Sequence, residues 1–382
     1  MKRLFVACSM AWALGQALAA QAPSQQTAAP PLIVSPEVHA DRTVTFRFRD
    51  PNAKEVLLAR EGDKRAPMTR DESGVWSITT APLEPDYYGY TFVAAGVSLV
   101  DPANPALLKP NLRSLSNMVH VPGPSSLLWE TNDVPHGEVH HHVYKSDVVG
   151  DDRDYYVYTP PGYDPKWKHG YPVLYLFHGF SDDASAWTAV GRANVILDNL
   201  IAQGKAKPML LVMPLGYGVP DIVKPGNPGL GDSETRDRNY AKFRDALLLE
   251  VIPQIQKSYN VSKDRNARAI AGLSMGGAES LYIGLNAIDK FSYIGSFSAG
   301  GSVDTERMFS LLDAKANAQI HLLWIACGTD DRLIEPNRKF REFLTSKGVR
   351  HEAVETPGAH VWMVWRRNLA AFAPLLFQSS GT

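Results

Sequence analysis

Cysteine is nearly absent. The 382-residue chain holds two, Cys8 and Cys327. Cys8 falls in a leader segment expected to be removed, which leaves one thiol and no internal disulfide. Stability then has to come from a buried core. Net charge is nearly absent too, at −1 for the whole chain. No global field favours nucleic acid or acidic membranes as partners. Beyond Leu32 no apolar run is long enough for a membrane helix. With 45% hydrophobic and 21% charged residues, the composition is that of a globular protein. Its length allows two domains.

The first residues read as a signal for export. Lys2 and Arg3 form a basic start, residues 4–18 an apolar stretch too short to span a bilayer, and Ala17-Leu18-Ala19 a cleavage site. A signal peptide over residues 1–19 and a flexible Ala/Gln/Pro tether over 20–30 are expected. The mature protein is expected to be secreted or periplasmic, with no membrane attachment.

Two patterns divide the rest. Residues 31–122 look all-β. Val44, Phe46 and Phe48 alternate with polar residues, as do Trp76 and Ile78, then Tyr88, Tyr90 and Phe92. Short strands at this spacing suggest an immunoglobulin-like sandwich. Pro122-Gly123-Pro124-Ser125-Ser126 reads as a linker. Residues 127–382 alternate strands and helices, which implies an α/β fold with a mostly parallel sheet covered on both faces. Strands are expected at 173–177, 209–213, 269–272, 293–297, 320–326 and 351–355. Helices are expected at 193–201, 240–256, 278–285, 337–344 and 361–375. Such sheets place ligands at the carboxyl ends of their strands.

One motif dominates. Gly272-Leu273-Ser274-Met275-Gly276, with Gly277 behind it, follows an apolar strand and precedes a helix. This is the nucleophile elbow, in which a sharp turn exposes a serine hydroxyl. Glycines two before and two after the serine let the strand and helix backbones approach. A serine nucleophile needs a base, and the base an orienting acid. The turn Cys327-Gly328-Thr329-Asp330-Asp331 ends a strand and offers both aspartates. His360 lies on the Pro/Gly-containing loop after the last strand, where the base must sit; His321 and His351 lie near strand starts and read as structural. The oxyanion needs two backbone donors. Met275, after the nucleophile, supplies one, and Phe180, in His178-Gly179-Phe180 after the strand at 173–177, the second.

Strand-HGF, the run Ile270 to Gly277, Phe297-Ser298-Ala299-Gly300, the Gly328-Thr329-Asp330-Asp331 turn and Tyr158-Thr159-Pro160-Pro161-Gly162-Tyr163 together resemble the esterase D / feruloyl esterase group, carbohydrate esterase family 1. The resemblance covers nearly all of residues 127–377. It implies an α/β-hydrolase fold and selects Asp331 as the acid. Ser35-Pro36-Glu37-Val38, residues 71–76 and Asp101-Pro102-Ala103-Asn104-Pro105 resemble the early-set, glycogen-binding-like domain that precedes many such esterases. The implied activity is a carboxylic ester hydrolase acting on acylated oligo- or polysaccharide, with feruloyl or acetyl groups on xylan the expected targets. The same fold serves siderophore-lactone esterases and acyltransferases. A non-catalytic glycan-binding protein is the reading from another class, and the intact Ser-Asp-His set argues against it. No metal or organic cofactor is expected.

Trp187 and Trp362 lie close in sequence to the oxyanion loop and to His360. They are candidates for stacking on an aromatic acyl group or a sugar, and equally for core packing. Residues 216–239 read as a long Gly/Pro-rich insertion that forms part of the pocket wall. His140-His141-His142 is not expected to chelate a metal, because successive strand residues face opposite ways.

Overall fold

The computed structural model describes residues 32–299 and 305–378. The expected signal peptide and tether, with Cys8, lie outside the described residues, as does Gly300.

Alternation of apolar and polar residues builds the N-terminal half as two stacked antiparallel sheets. One contains Glu37–Val38, Val44–Arg49, Val75–Thr79 and Thr69–Arg70. The other is built around Val56–Arg60, Asp86–Ala94 and Ser116–Val121, with the short strand Leu108–Lys109 at its edge. Their inner faces close on Val44, Phe46, Leu58, Trp76, Tyr90 and Phe92. The tyrosines of Asp86–Ala94 divide between two jobs. Tyr88 and Tyr90 fill the sandwich core, whereas Tyr87 packs against the core of the second half.

The second half is an eight-stranded sheet. Its order is Glu138–Lys145, Asp152–Thr159, Leu210–Pro214, Val173–Phe177, Arg268–Leu273, Tyr293–Phe297, Leu322–Gly328 and Glu352–Thr356. The first two form an antiparallel hairpin, and from Leu210–Pro214 onward neighbours run parallel. Strand residues alternate between two cores, as the pleat requires. Val173, Tyr175, Phe177 and Ile270 join one with Phe243, Leu281 and Phe340; Leu174, Leu176, Ala269 and Ala271 join the other with Ile196, Leu200, Leu369 and Phe372. The chain reverses its direction of travel across the sheet beside Val173–Phe177, and the crevice at that switch point is where such sheets bind ligands.

The helix expected at 240–256 differs most from expectation. It begins at Ser233. Asp232 caps it, its Oδ2 accepting Thr235 N–H at 2.9 Å; the first turns are polar and hid the periodicity. The helical run is broken by a π turn at Leu247–Val251, just before Pro253, which cannot donate a helical hydrogen bond. The insertion is correspondingly shorter, and Pro220–Val223 and Gly229–Gly231 form 3-10 turns within it.

The two halves share buried contacts. Asp86 and Arg366, both 0% exposed, form an ion pair at 2.8 Å, and Arg366 also donates to Tyr87 O at 2.6 Å and Val190 O at 2.9 Å. Arg366 lies on the last helix, Trp362–Phe372, so the sandwich grips the element that follows His360.

Candidate active site

Ser274 sits between the strand Arg268–Leu273 and the helix Met275–Asn286, with φ 52° and ψ −114°. That conformation is costly for a residue with a Cβ and persists only under strong packing. The packing is visible. A Cβ on Gly272 would lie 2.5 Å from the Gly276 carbonyl carbon, and one on Gly276 would lie 2.4 Å from His178 O. Only glycine fits at either position. Ser274 N–H donates to Phe297 O at 2.8 Å, tying the turn to the next strand.

The structure brings Ser274, His360 and Asp331 into one row. His360 Nε2 lies 2.9 Å from Ser274 Oγ, and Nδ1 lies 2.8 Å from Asp331 Oδ2. Asp331 is buried and Asp330 is exposed, so only the second aspartate of the turn faces the imidazole. Burial pushes the Asp331 carboxyl up, but the hydrogen bond and charge of His360, the Leu333 N–H and the Ser298 hydroxyl outweigh it and hold the group below the usual range. Asp331 is therefore a carboxylate across the neutral range, as an orienting acid must be. Backbone bonds lock the acid turn to the histidine loop: Thr329 N–H donates to Thr356 O at 2.8 Å and Asp330 N–H to Gly358 O at 3.0 Å.

Ser298 and Trp365 complete the support and were not singled out as site residues in the sequence. Ser298 is buried with φ 54°, and its Oγ accepts Trp365 Nε1–H at 3.0 Å. The Trp365 ring meets His360 edge-on, with centroids 4.9 Å apart at 86°. The one available signal was Ser298 within the Phe297-Ser298-Ala299-Gly300 motif.

Phe180 and Met275 are the positions expected to supply the oxyanion amides. Met275 opens the elbow helix. The loop carrying Phe180 runs against the nucleophile, since a Cβ on Gly179 would lie 3.5 Å from Ser274 Cβ. His178 shapes that loop. Its Nδ1 lies 2.8 Å from Gly179 O, and its Nε2 accepts Gly216 N–H at 2.8 Å. Burial lowers its pKa to about 4, so it is a neutral structural imidazole. The insertion meets the same loop: Tyr217 OH donates to Asp182 O at 2.8 Å, and a Cβ on Gly229 would lie 3.1 Å from Phe180 Cζ. The sandwich meets it from the other side. Leu112 N–H donates to Ser181 O at 2.7 Å, Asn111 Nδ2 donates to Ser181 Oγ at 2.9 Å, and the Arg113 guanidinium lies 5.5 Å above the Phe180 ring.

Trp187 and Trp362 are not available to a ligand, which corrects the stacking expectation. Each is 1% exposed. They pack on one another at 5.2 Å, and Trp187 Nε1–H donates to Phe177 O at 2.8 Å. Closeness in sequence to the site loops does not set side-chain direction, and both rings turn into the core behind them. The three consecutive histidines alternate as a strand requires: His141 reaches Asp154 at 2.8 Å and His142 reaches Tyr259 OH at 2.6 Å.

An elbow serine, an imidazole and a buried carboxylate in a row, at the carboxyl edge of a mostly parallel sheet, define an α/β-hydrolase. The comparisons agree. A family model described as putative esterase matches residues 146–376. An endo-1,4-beta-xylanase/feruloyl esterase of Xylanibacter ruminicola is 32% identical over 351 residues, 90% of this chain and 46% of that protein. The chain spans about half the length of the curated relatives it matches first. The CE1 ferulic acid esterase of Anaeromyces mucronatus, solved with ferulic acid, is 25% identical with a TM-score of 0.57, covering 65% of this chain and 93% of that one. The enterochelin esterase of Shigella flexneri is 18% identical with a TM-score of 0.66, covering 88% of this chain and 92% of that one. This second likeness must include the sandwich, because residues 146–376 cannot supply so much of the chain. The chain belongs to the putative esterase family.

Proposed function

We propose that the protein is a serine carboxylic ester hydrolase that removes feruloyl, or related hydroxycinnamoyl or acetyl, groups from plant polysaccharide such as arabinoxylan. The observation that carries the mechanism is the Ser274–His360–Asp331 row, with links of 2.9 and 2.8 Å. Ser274 Oγ attacks the ester carbonyl while His360 Nε2 takes its proton. Asp331 holds the tautomer with Nδ1–H and stabilises the imidazolium. The Met275 and Phe180 amides bind the tetrahedral oxyanion. His360 then protonates the leaving alcohol, and water, activated by the same histidine, releases the acid from the acyl-enzyme. The scheme calls for no metal or organic cofactor.

The choice of acyl group and polysaccharide is supported by the xylanase/feruloyl esterase relative and the CE1 neighbour. A second reading, a siderophore-lactone esterase, draws on the likeness to the enterochelin esterase over both halves, which at 18% identity bears on fold alone. One panel separates the readings: methyl ferulate, feruloylated arabinoxylan oligosaccharide, acetylated xylan and a catecholate lactone. Turnover of the feruloyl esters well above the lactone is expected; the reverse order would transfer the assignment. No turnover of any ester, with no fluorophosphonate label on Ser274, would leave a binding protein. We also propose export, on the strength of residues 1–19. N-terminal sequencing of protein from medium or periplasm should begin at residue 20, and an intact Met1 in the cytosolic fraction would refute it.

A further inference from the structure

The helix that begins two residues after His360 has no cap of its own. Val361 occupies the N-cap position with extended backbone, φ −140° and ψ 157°, and makes no side-chain cap hydrogen bond. Ser, Thr, Asp or Asn normally does this work. Here the acceptor comes from the sandwich. Glu61, just after the strand Val56–Arg60, accepts Trp362 N–H at 3.0 Å across 301 residues of sequence. The carboxylate also faces the positive end of the helix dipole. Glu61 is fixed in turn: its N–H donates to Gly89 O at 2.7 Å, Oε2 accepts Gly89 N–H at 3.0 Å, and Lys109 Nζ lies 3.6 Å from Oε1. The following turn seats on the same helical start, where a Cβ on Gly62 would lie 3.6 Å from Met363 and 3.8 Å from Val361.

From Trp362 the constraint reaches the imidazole through packed rings. Trp362 meets Trp365 at 5.4 Å, and Trp365 meets His360 at 4.9 Å. We propose that Glu61 is a positioning residue for His360: by capping the helix start it fixes where the imidazole stands between Ser274 and Asp331. The sandwich is then part of the catalytic apparatus, holding the histidine loop with Glu61 as it holds the oxyanion loop with Asn111 and Leu112. The inference rests on the assignment of His360 as the base.

Kinetics of the full chain on an activated ester such as p-nitrophenyl acetate, with the second-order rate of fluorophosphonate labelling at Ser274, test it. A base displaced by a fraction of an ångström slows chemistry more than binding, so Glu61→Ala is expected to lower kcat about tenfold with KM within about twofold, and to slow labelling in parallel. Glu61→Gln keeps one acceptor oxygen and is expected to recover kcat to within about threefold. All rates are taken well below each variant's melting midpoint. Folded Glu61→Ala protein with wild-type kcat and only a lowered midpoint would overturn the inference, making Glu61 a docking contact. If that variant does not fold, Glu61→Asp, which draws the carboxylate back by one methylene, replaces it; a loss of about threefold or more is expected, and wild-type kcat overturns the proposal. His360→Ala in the same assays keeps two failures apart. An active His360→Ala enzyme removes the reading beneath the inference, whereas an inactive one beside fully active Glu61→Ala removes the inference alone.

Discussion

The elbow and the histidine loop meet at a single hydrogen bond, yet they are held by different means. The elbow is set mainly by close backbone approach, Gly272 against Gly276 and Gly276 against His178 O, with Ser274 N–H bonded to Phe297 O. Gly272 and Gly276, four residues apart, allow the close backbone approach within which Ser274 sits at φ 52°. The histidine loop owes its place to distant partners: Thr329, Asp330 and Asp331 at one strand end, Ser298 behind Asp331, and Glu61 from the sandwich. Close backbone packing leaves no latitude at the elbow, whereas a loop held by several separate hydrogen bonds can be weakened by degrees.

That contrast can be broken experimentally, most sharply at the elbow. Ser274→Ala should abolish turnover, by about 10⁴-fold or more, while the melting midpoint stays near that of the wild type. Steady-state kinetics with thermal melting checks both halves of the expectation. Next comes the acid turn. Asp331→Asn should cost on the order of 10³- to 10⁴-fold in kcat, because the amide no longer selects the working tautomer. Asp330→Asn, one residue away but exposed, should stay within about twofold. Equal losses in the two variants would contradict the assignment of the acid.

Two smaller effects concern packing and charge around the loops. Trp187→Phe should cost about 1–3 kcal/mol in urea unfolding with KM almost unchanged, as expected of a core ring; a large rise in KM with unaltered stability would return Trp187 to the pocket. Glu355, at the end of the strand before the histidine loop, is bonded by Arg338 and Arg341, which hold its pKa down at about 2. A depressed carboxyl stabilises the fold above its unfolded pKa, near 4.5, and that contribution is lost as pH falls toward about 2. Solvent screening keeps it small, so Glu355→Gln should lower stability at pH 7 by less than about 1 kcal/mol, with the difference vanishing in acid. Urea unfolding at pH 7 and at the lowest pH the fold tolerates measures it.

The same contrast explains what could be read in advance. The strands Val173–Phe177 and Tyr293–Phe297 have the expected bounds, because runs of apolar residues between turn signals mark buried strands directly. The elbow was legible because its requirement, small residues two before and two after the serine, is written within five positions. The start of the helix at Ser233 was hidden by polar first turns. Ser298 and Trp365 lie 33 and 5 residues from the Asp331 and His360 they touch, and no local pattern announces those contacts. Glu61 is the extreme case: its partner lies 301 residues away, and only the fold reveals that Val361 leaves a cap for another element to supply. Trp187 and Trp362 show the opposite error, in which nearness along the chain suggested a role that side-chain direction denies.

In the proposed mechanism Ser274 carries the acyl group. Rapid quenching during turnover of an activated feruloyl ester, followed by intact-protein mass measurement and peptide mapping, would show where the acyl group resides. One feruloyl group per chain, located on Ser274 and absent from Ser274→Ala, is the expected result. An adduct on another residue, or full turnover by Ser274→Ala, would contradict it.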